Sequence, residues 1–256
     1  MPNWLMSNIG LTLTVHVMSE NSLGINVKAR SLFRSVWNWL GATLVRPHAV
    51  ETDEKPASLD FEKIYENNLF LGTESRSGKG SSLFQTRIIR EEIPKLLDEL
   101  KVEHVLDVPC GDWNWMRHVN LSGVRYTGGD IVRDIVDRNN SSFGKENRRF
   151  EYMDIISGPL PQADLILCRD CLVHLSFGDG LAALDRFRKS GAKWLLTTTF
   201  TDRDGNAELC EGLIWRPLNL EKPPYNLPKA ERYINEGCTE DDGMFGDKCL
   251  GLWKLH

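Results

Sequence analysis

Aspartates stand where short apolar runs give way to turns: Asp107 in Val105-Leu106-Asp107-Val108-Pro109-Cys110-Gly111-Asp112, Asp130 in Tyr126-Thr127-Gly128-Gly129-Asp130, and Asp154 in Tyr152-Met153-Asp154-Ile155. Taken singly, such an acid is often a helix cap or a solvated turn residue. Three successive runs ending the same way point instead to one ligand-binding edge. The first run enters a turn at Gly111, which lets a ligand approach the backbone. A pyrophosphate would need the repeated glycines of G-x-G-x-x-G to rest on the following helix. Here Gly111 stands with Pro109 before it and Trp113 after it. The pattern therefore suits a positively charged nucleoside without phosphate. Asp107 and Asp112 would face its cationic end, and Asp130, some twenty positions on, would take the ribose hydroxyls. Asp154 could accept from a base amino group, with Ile155 packed on the ring.

A fourth run ends in Leu167-Cys168-Arg169-Asp170, followed by Leu172, Val173 and His174. His174 and Asp170 are the candidate proton acceptors, because histidine takes up a proton near neutral pH. A histidine at this place equally often packs as a hydrogen-bonded structural residue.

The elements that must position these residues form a regular series. Apolar runs at His104–Val108, Arg125–Asp130, Arg149–Asp154, Asp164–Cys168 and Lys193–Phe200 read as strands separated by polar or helix-compatible stretches. Helices are expected over Gln85–Leu100 and Leu181–Lys189, and a helix followed by a turn over Phe61–Gly72. Such alternation predicts a Rossmann-like, doubly wound, mostly parallel sheet in a three-layer α/β/α domain, with ligands at the carboxyl ends of the strands. Two further runs, Arg232–Glu236 and Cys249–Leu255, predict a terminal antiparallel pair. Residues 1–56 read as an N-terminal extension ending in a polar linker, and 57–256 as one domain with its cofactor-binding core at 102–200. In the extension, Leu11, Leu13, Val15 and Val17 alternate like a strand. There too, Leu32, Phe33, Val36, Trp37, Leu40 and Leu44 fall at helical spacing beside Lys28, Arg30 and Arg34, a pattern open to peripheral membrane contact or to docking on its own domain.

At 256 residues and 41% hydrophobic content the chain can bury one full α/β core. The formal net charge of -5 offers phosphate backbones no broad attraction, so no nucleic-acid partner is expected. No apolar run is long enough for a transmembrane helix and no secretory signal is visible, which suggests a cytoplasmic protein. The six cysteines suit reduced thiols. Cys168 and Cys171 form a C-x-x-C without the second pair that a zinc site needs, so no metal is expected.

The segment LDVPCGD resembles the first motif of class I S-adenosylmethionine-dependent methyltransferases, an acid followed by Gly-x-Gly-x-Gly. GGDIV, YMDI and ADLILCRDCLVHLS resemble the second to fourth motifs, in order and at matching spacing, over residues 102 to about 200. ESRSGKGSS, WRPLNLEKPPYNLP and DKCLGLW are similar to a group of bacterial methyltransferase-like proteins. The departures are Pro109 and Trp113 in place of the first and third glycines.

The resemblance implies S-adenosylmethionine as cofactor, with Asp107, Pro109, Gly111 and Asp112 around its methionine end. Asp130 and Ile131 would lie at the ribose, Asp154 and Ile155 at the adenine, and Arg169 on the methyl-transfer side. The polar loop before the first strand, with Ser75, Arg76 and Gln85, would cap the cofactor. The implied reaction carries a methyl group to an O or N atom of a small polar acceptor. Trp215, Arg216, Asn219, Tyr225 and Asn226 lie where this fold often shapes the acceptor pocket, but each reads more readily as packing. A binding protein that holds the cofactor without transferring its methyl is the alternative, and nicotinamide reduction is disfavoured by the missing glycines.

Overall fold

The computed structural model describes residues 59–209 and 212–256. The expected N-terminal strand and amphipathic segment lie outside the described residues.

After a short helix α1 (Phe61–Glu66), capped by the Asp60 carboxylate on the Lys63 amide, the chain crosses a polar loop into α2 (Arg87–Glu99). Then come β1 (His104–Asp107), β2 (Arg125–Asp130), α3 (Arg133–Phe143), β3 (Arg148–Tyr152) and β4 (Leu165–Cys168). α4 (Phe177–Lys189), β5 (Trp194–Phe200), β6 (Arg232–Asn235) and β7 (Lys248–Lys254) complete the domain. The sheet order is β3-β2-β1-β4-β5-β7-β6. The first five strands in that order pair in parallel, and β7 pairs antiparallel with both β5 and β6. The predicted terminal pair is thus present, with β7 placed between β5 and β6.

Side chains alternate across each strand, which sorts one sequence into two cores. Val105, Leu165, Leu167 and Leu196 face α2 and α3, where Ile89, Ile93, Leu96, Ile135 and Val136 pack. Leu106, Ile166, Cys168 and Leu195 face α4, where Ala183, Leu184 and Phe187 are fully buried. Each such Leu or Ile contributes roughly 1.5–3 kcal/mol by leaving water. β1 and β4 are buried at every position; β4 reads as a continuous apolar run, while β1 buries Val105 and Leu106 between His104 and Asp107.

The crossovers differ from a strict strand–helix alternation. β1 reaches β2 through a loop with one 3-10 turn (Met116–His118), and no α-helix joins β3 to β4. Trp113, Trp115 and Met116 of that first loop are buried, so large side chains fill the space that a crossover helix would otherwise cover. β3 ends at Tyr152, the register partner of Asp130 where β2 stops. Asp154 therefore lies two residues past the strand. Among the described residues, no helix is long and apolar enough to cross a membrane and no cluster of His, Cys, Asp and Glu could hold a metal ion. Cys110, Cys168, Cys171, Cys238 and Cys249 are buried free thiols.

Candidate active site

The carboxyl ends of β1, β2 and β4 and the segment after β3 enclose a cavity of ≈ 150 Å³. Asp107, Pro109, Gly111, Asp130, Ile131, Asp154, Ile155, Arg169, Asp170, His174 and Arg76 all line it. Residues spread over a hundred positions of sequence thus meet in one cleft because parallel strands start and stop together.

Asp107 is buried, and its carboxylate accepts a 2.5 Å bond from the Tyr126 hydroxyl on the neighbouring strand. Burial pushes its pKa up to about 7 despite that bond, and nearby Asp130 adds to the rise. Asp130 accepts the amides of Gly111 and Val132, each at 3.0 Å, yet burial still pushes it up to about 6. Neither carboxylate forms an ion pair among the described residues. Two buried acids at adjacent strand ends therefore suit a cationic ligand, which would favour their charged forms.

The turn that would cradle a phosphate has its amides engaged. Gly111 donates to Asp130, Asp112 donates to the Ser77 hydroxyl at 3.1 Å, and Cys110 donates to the Gly129 carbonyl at 2.8 Å. Trp113 adopts φ +56° and is buried among Tyr126, Phe143 and Phe150, with Arg148 4.2 Å above its ring. It closes the core beneath the turn, where a glycine would have left an open approach.

Asp112 and Gln85, expected at the ligand, are not among the residues that line the cleft. The Ser75 hydroxyl meets both Asp112 carboxylate oxygens at 2.8 and 2.9 Å, and the Arg76 amide donates to one at 2.9 Å. Asp112 is thus the anchor of the polar loop. Gln85 is spent on Thr239, giving a 2.9 Å bond to its hydroxyl and taking a 3.2 Å bond from its amide. Arg76 remains exposed over the cleft, 5.7 Å from the Tyr65 ring. Asp154 accepts the amide of Ile156 at 2.8 Å and the hydroxyl of Ser157 at 2.5 Å. These bonds hold it below the usual carboxylate range against partial burial. Ile155, Met153 and Ile131 form an apolar wall next to it.

Arg169 and Asp170 belong to a buried ion cluster. The Arg169 guanidinium binds Glu236 at 2.6 Å, Asp170 at 3.2 Å and the Gly80 carbonyl at 2.9 Å. Lys248 binds Asp170 at 2.6 Å and stands 3.6 Å from Glu236. Burial opposes ionisation of Asp170, but Arg169 and Lys248 hold it well below the carboxylate range. So paired, Asp170 has its charge matched by two cations.

His174 lines the same cleft. Burial lowers its pKa, so the ring is neutral at pH 7. Its Nδ1 lies 2.5 Å from the Ile214 carbonyl, which can only accept, so Nδ1 carries the proton and Nε2 the lone pair. Phe70 packs 4.8 Å from the imidazole and Phe61 edges it at 6.3 Å.

Sequence reasoning missed Glu236, Lys248, Tyr126, Ser77, Phe61 and Phe70. The signal for Lys248 is a cation opening the apolar run Cys249-Leu250-Gly251-Leu252-Trp253; for the others only spatial proximity reveals the role. Among the described residues, none of the segment after β5 lines the cleft, although its Ile214 carbonyl holds His174 there. Arg216 binds the carbonyls of Ala207 and Val173, Asn219 binds those of Thr201 and Arg203, and Trp215 packs 5.0 Å from Phe245.

Neither a protein-family profile nor a curated protein matches the chain. Among solved structures, human N-acetylserotonin methyltransferase in complex with S-adenosylmethionine superposes with a TM-score of 0.53 at 16% identity, over 88% of this chain and 68% of that one. The chain has the class I methyltransferase fold. At that identity the likeness concerns the fold alone. The methyltransferase domain of the bacterial protein CtHen1-CN matches at TM-score 0.49 and 14% identity, over 68% of this chain and all of that one. The N-methyltransferase NodS from Bradyrhizobium japonicum matches at TM-score 0.45 and 16% identity, over 54% and 72%. Three further matches span about half of the neighbour's own length, at 44%, 50% and 53%. Within the class I methyltransferase fold, the cleft described above lies at the strand edge where such a sheet binds ligands.

Proposed function

We propose that this protein is an S-adenosylmethionine-dependent methyltransferase that acts on an O or N atom of a small-molecule acceptor. The observation that carries the reading is the pair of buried acids, Asp107 and Asp130, with no cationic side chain ion-paired to either among the described residues, beside a turn whose amides are already bonded. A cationic nucleoside meets both conditions, and a dinucleotide meets neither. When bound, the cofactor supplies a methyl group already activated on a positively charged sulfur.

The chain's own residues divide the remaining work. Asp107 and Asp130 would hold the amino-acid and ribose parts, and Asp154 with the Ile155 wall would hold the base. Arg76 in the loop would take the cofactor's carboxylate. Asp112 fixes that loop over the cleft, which excludes water and orients both reactants. His174 would take the acceptor's proton at Nε2, since a hydroxyl or ammonium must lose one in the reaction.

Titration calorimetry with purified protein tests the reading, using the sulfonium donor, its demethylated product and reduced nicotinamide in separate cells. Saturable heat from the first two, lost in Asp130→Ala, is the expected result. Heat from nicotinamide alone would overturn it, and so would donor binding with no label transferred to any acceptor.

A further inference from the structure

Asp107 takes its hydrogen bond from a side chain outside the cleft. Across the β1–β2 pair its register partner is Gly128, which carries no side chain, and Tyr126 stands two residues earlier on the same face, opposite Val105. The Tyr126 phenol reaches forward from there, and its hydroxyl donates to Asp107 Oδ2 at 2.5 Å. Trp113 and Phe150 hold the ring, with centroids 5.7 and 5.8 Å away, and only 1% of Tyr126 is exposed. Asp107 lines the cleft and Tyr126 does not. Asp107 Oδ1 accepts no hydrogen bond among the described residues.

We propose that Tyr126 is a positioning residue for donor binding: by donating to Oδ2 it favours the charged form of Asp107 and leaves Oδ1 for the cationic end of the ligand. The inference rests on the methyltransferase reading and adds to it a side chain that acts through Asp107 alone. A hydrogen bond to a carboxylate is about twice as strong as one to a neutral acceptor, so this bond works toward ionisation. Burial and nearby Asp130 work against it, and with the hydroxyl in place the balance stands at about 7. Burial and Asp107 push the Tyr126 hydroxyl well above its ordinary range, so it stays a donor. The other groups that face the pair keep one state through neutral pH. Arg169 on β4 and Arg148 beside Trp113 are cations. Cys110 is kept neutral by burial, and Cys168 by its hydrogen bond with Cys171 and by burial. Without the hydroxyl, Arg169 alone favours the charge on Asp107.

Tyr126→Phe keeps the ring and its packing and removes the hydroxyl. The full chain and this variant are titrated with the sulfonium donor by calorimetry between about pH 6 and about pH 9. The expected Kd is raised about tenfold at about pH 7, and the difference closes toward about pH 9, where Asp107 ionises in the variant too. A Kd raised by one factor at every pH is a packing defect and overturns the proposal, as does an unchanged Kd. A second measurement needs no donor: infrared difference spectra follow the carbonyl band of the protonated acid, assigned by its loss in Asp107→Asn. Its midpoint is expected about one pH unit higher in Tyr126→Phe. Failure of the wild type to bind donor removes the methyltransferase reading, while the shifted band still supports control of Asp107 by Tyr126. An unshifted band overturns that control whether or not donor binds.

Discussion

The Ser77 hydroxyl occupies the space that a side chain on Gly111 would need: a Cβ placed there lies 2.4 Å from Ser77 Oγ. Gly111 also has φ +55°, a conformation that L side chains rarely adopt. This glycine therefore serves the loop as much as the ligand. It lets residues 75–77 close against the β1 turn, where Asp112 fastens them.

Gly111→Ala is expected to destabilise the protein by about 1–3 kcal/mol through backbone strain and displacement of Ser77. Donor affinity should fall with it. Ser77→Gly in the same chain removes the clash but not the strain, so the double variant should recover part of the affinity and little of the stability. Thermal melts and calorimetry on the three variants check the separation.

Asp107→Asn retains an acceptor for the Tyr126 hydroxyl and removes the charge. A carboxyl whose folded pKa is raised to about 7 costs folding stability increasingly as pH rises from its unfolded value toward 7. At about pH 8 the neutral variant should therefore be more stable than the wild type without ligand, by about 2–4 kcal/mol. It should also bind the sulfonium donor more weakly. Equal melting temperatures at that pH would show that Asp107 is not a buried, uncompensated acid.

Donor affinity in the wild-type protein should fall as pH drops from about 8 to about 5, since Asp107 and Asp130, with values raised to about 7 and about 6, take up protons and lose their attraction for a cation. Calorimetry across this range checks the slope. A flat profile would mean that neither acid meets the charge of the donor.

Glu236→Gln removes the carboxylate that lies against Arg169 and Lys248, leaving two buried cations with Asp170 alone. The expected loss is about 3–5 kcal/mol. Glu99→Gln breaks the Arg232 pair, whose side chains are about half exposed, and should cost far less because water screens it. Denaturant melts of the two variants compare buried with exposed pairs in one chain.

His174→Gln should lower kcat by about 10²- to 10⁴-fold without changing donor affinity. Because burial lowers the histidine's pKa, wild-type kcat should hold through the ordinary histidine range and be lost only on the acid side of it. Unchanged turnover would assign His174 to packing against Phe61 and Phe70.

The strands were readable in the sequence, because β4 is an unbroken apolar run and β1 and β2 each stop at an aspartate followed by a turn. Asp107, Asp130 and Asp154 could be named for the same reason: a parallel sheet gathers the ends of its strands at one edge whatever the loops do. The loop between β1 and β2 was less readable. Its tryptophans fill the core through contacts with Phe143 and Phe150, which are distant in sequence, and no local periodicity records that.

What the sequence by itself determined is the sheet, its ligand-binding edge and the carboxylates along it, since strand periodicity and turn chemistry act over a few residues. Only the tertiary structure decided how those residues are used. Asp112 fastens a loop, Asp170 is neutralised by Arg169 and Lys248, and His174 is held as a neutral imidazole on the Ile214 carbonyl. Those assignments depend on burial and on partners 35 to 78 positions away, as between Asp112 and Ser77 or between Lys248 and Asp170. A side chain's charge and hydrogen bonds are set by its neighbours in space, and these exist only once the strands have come together.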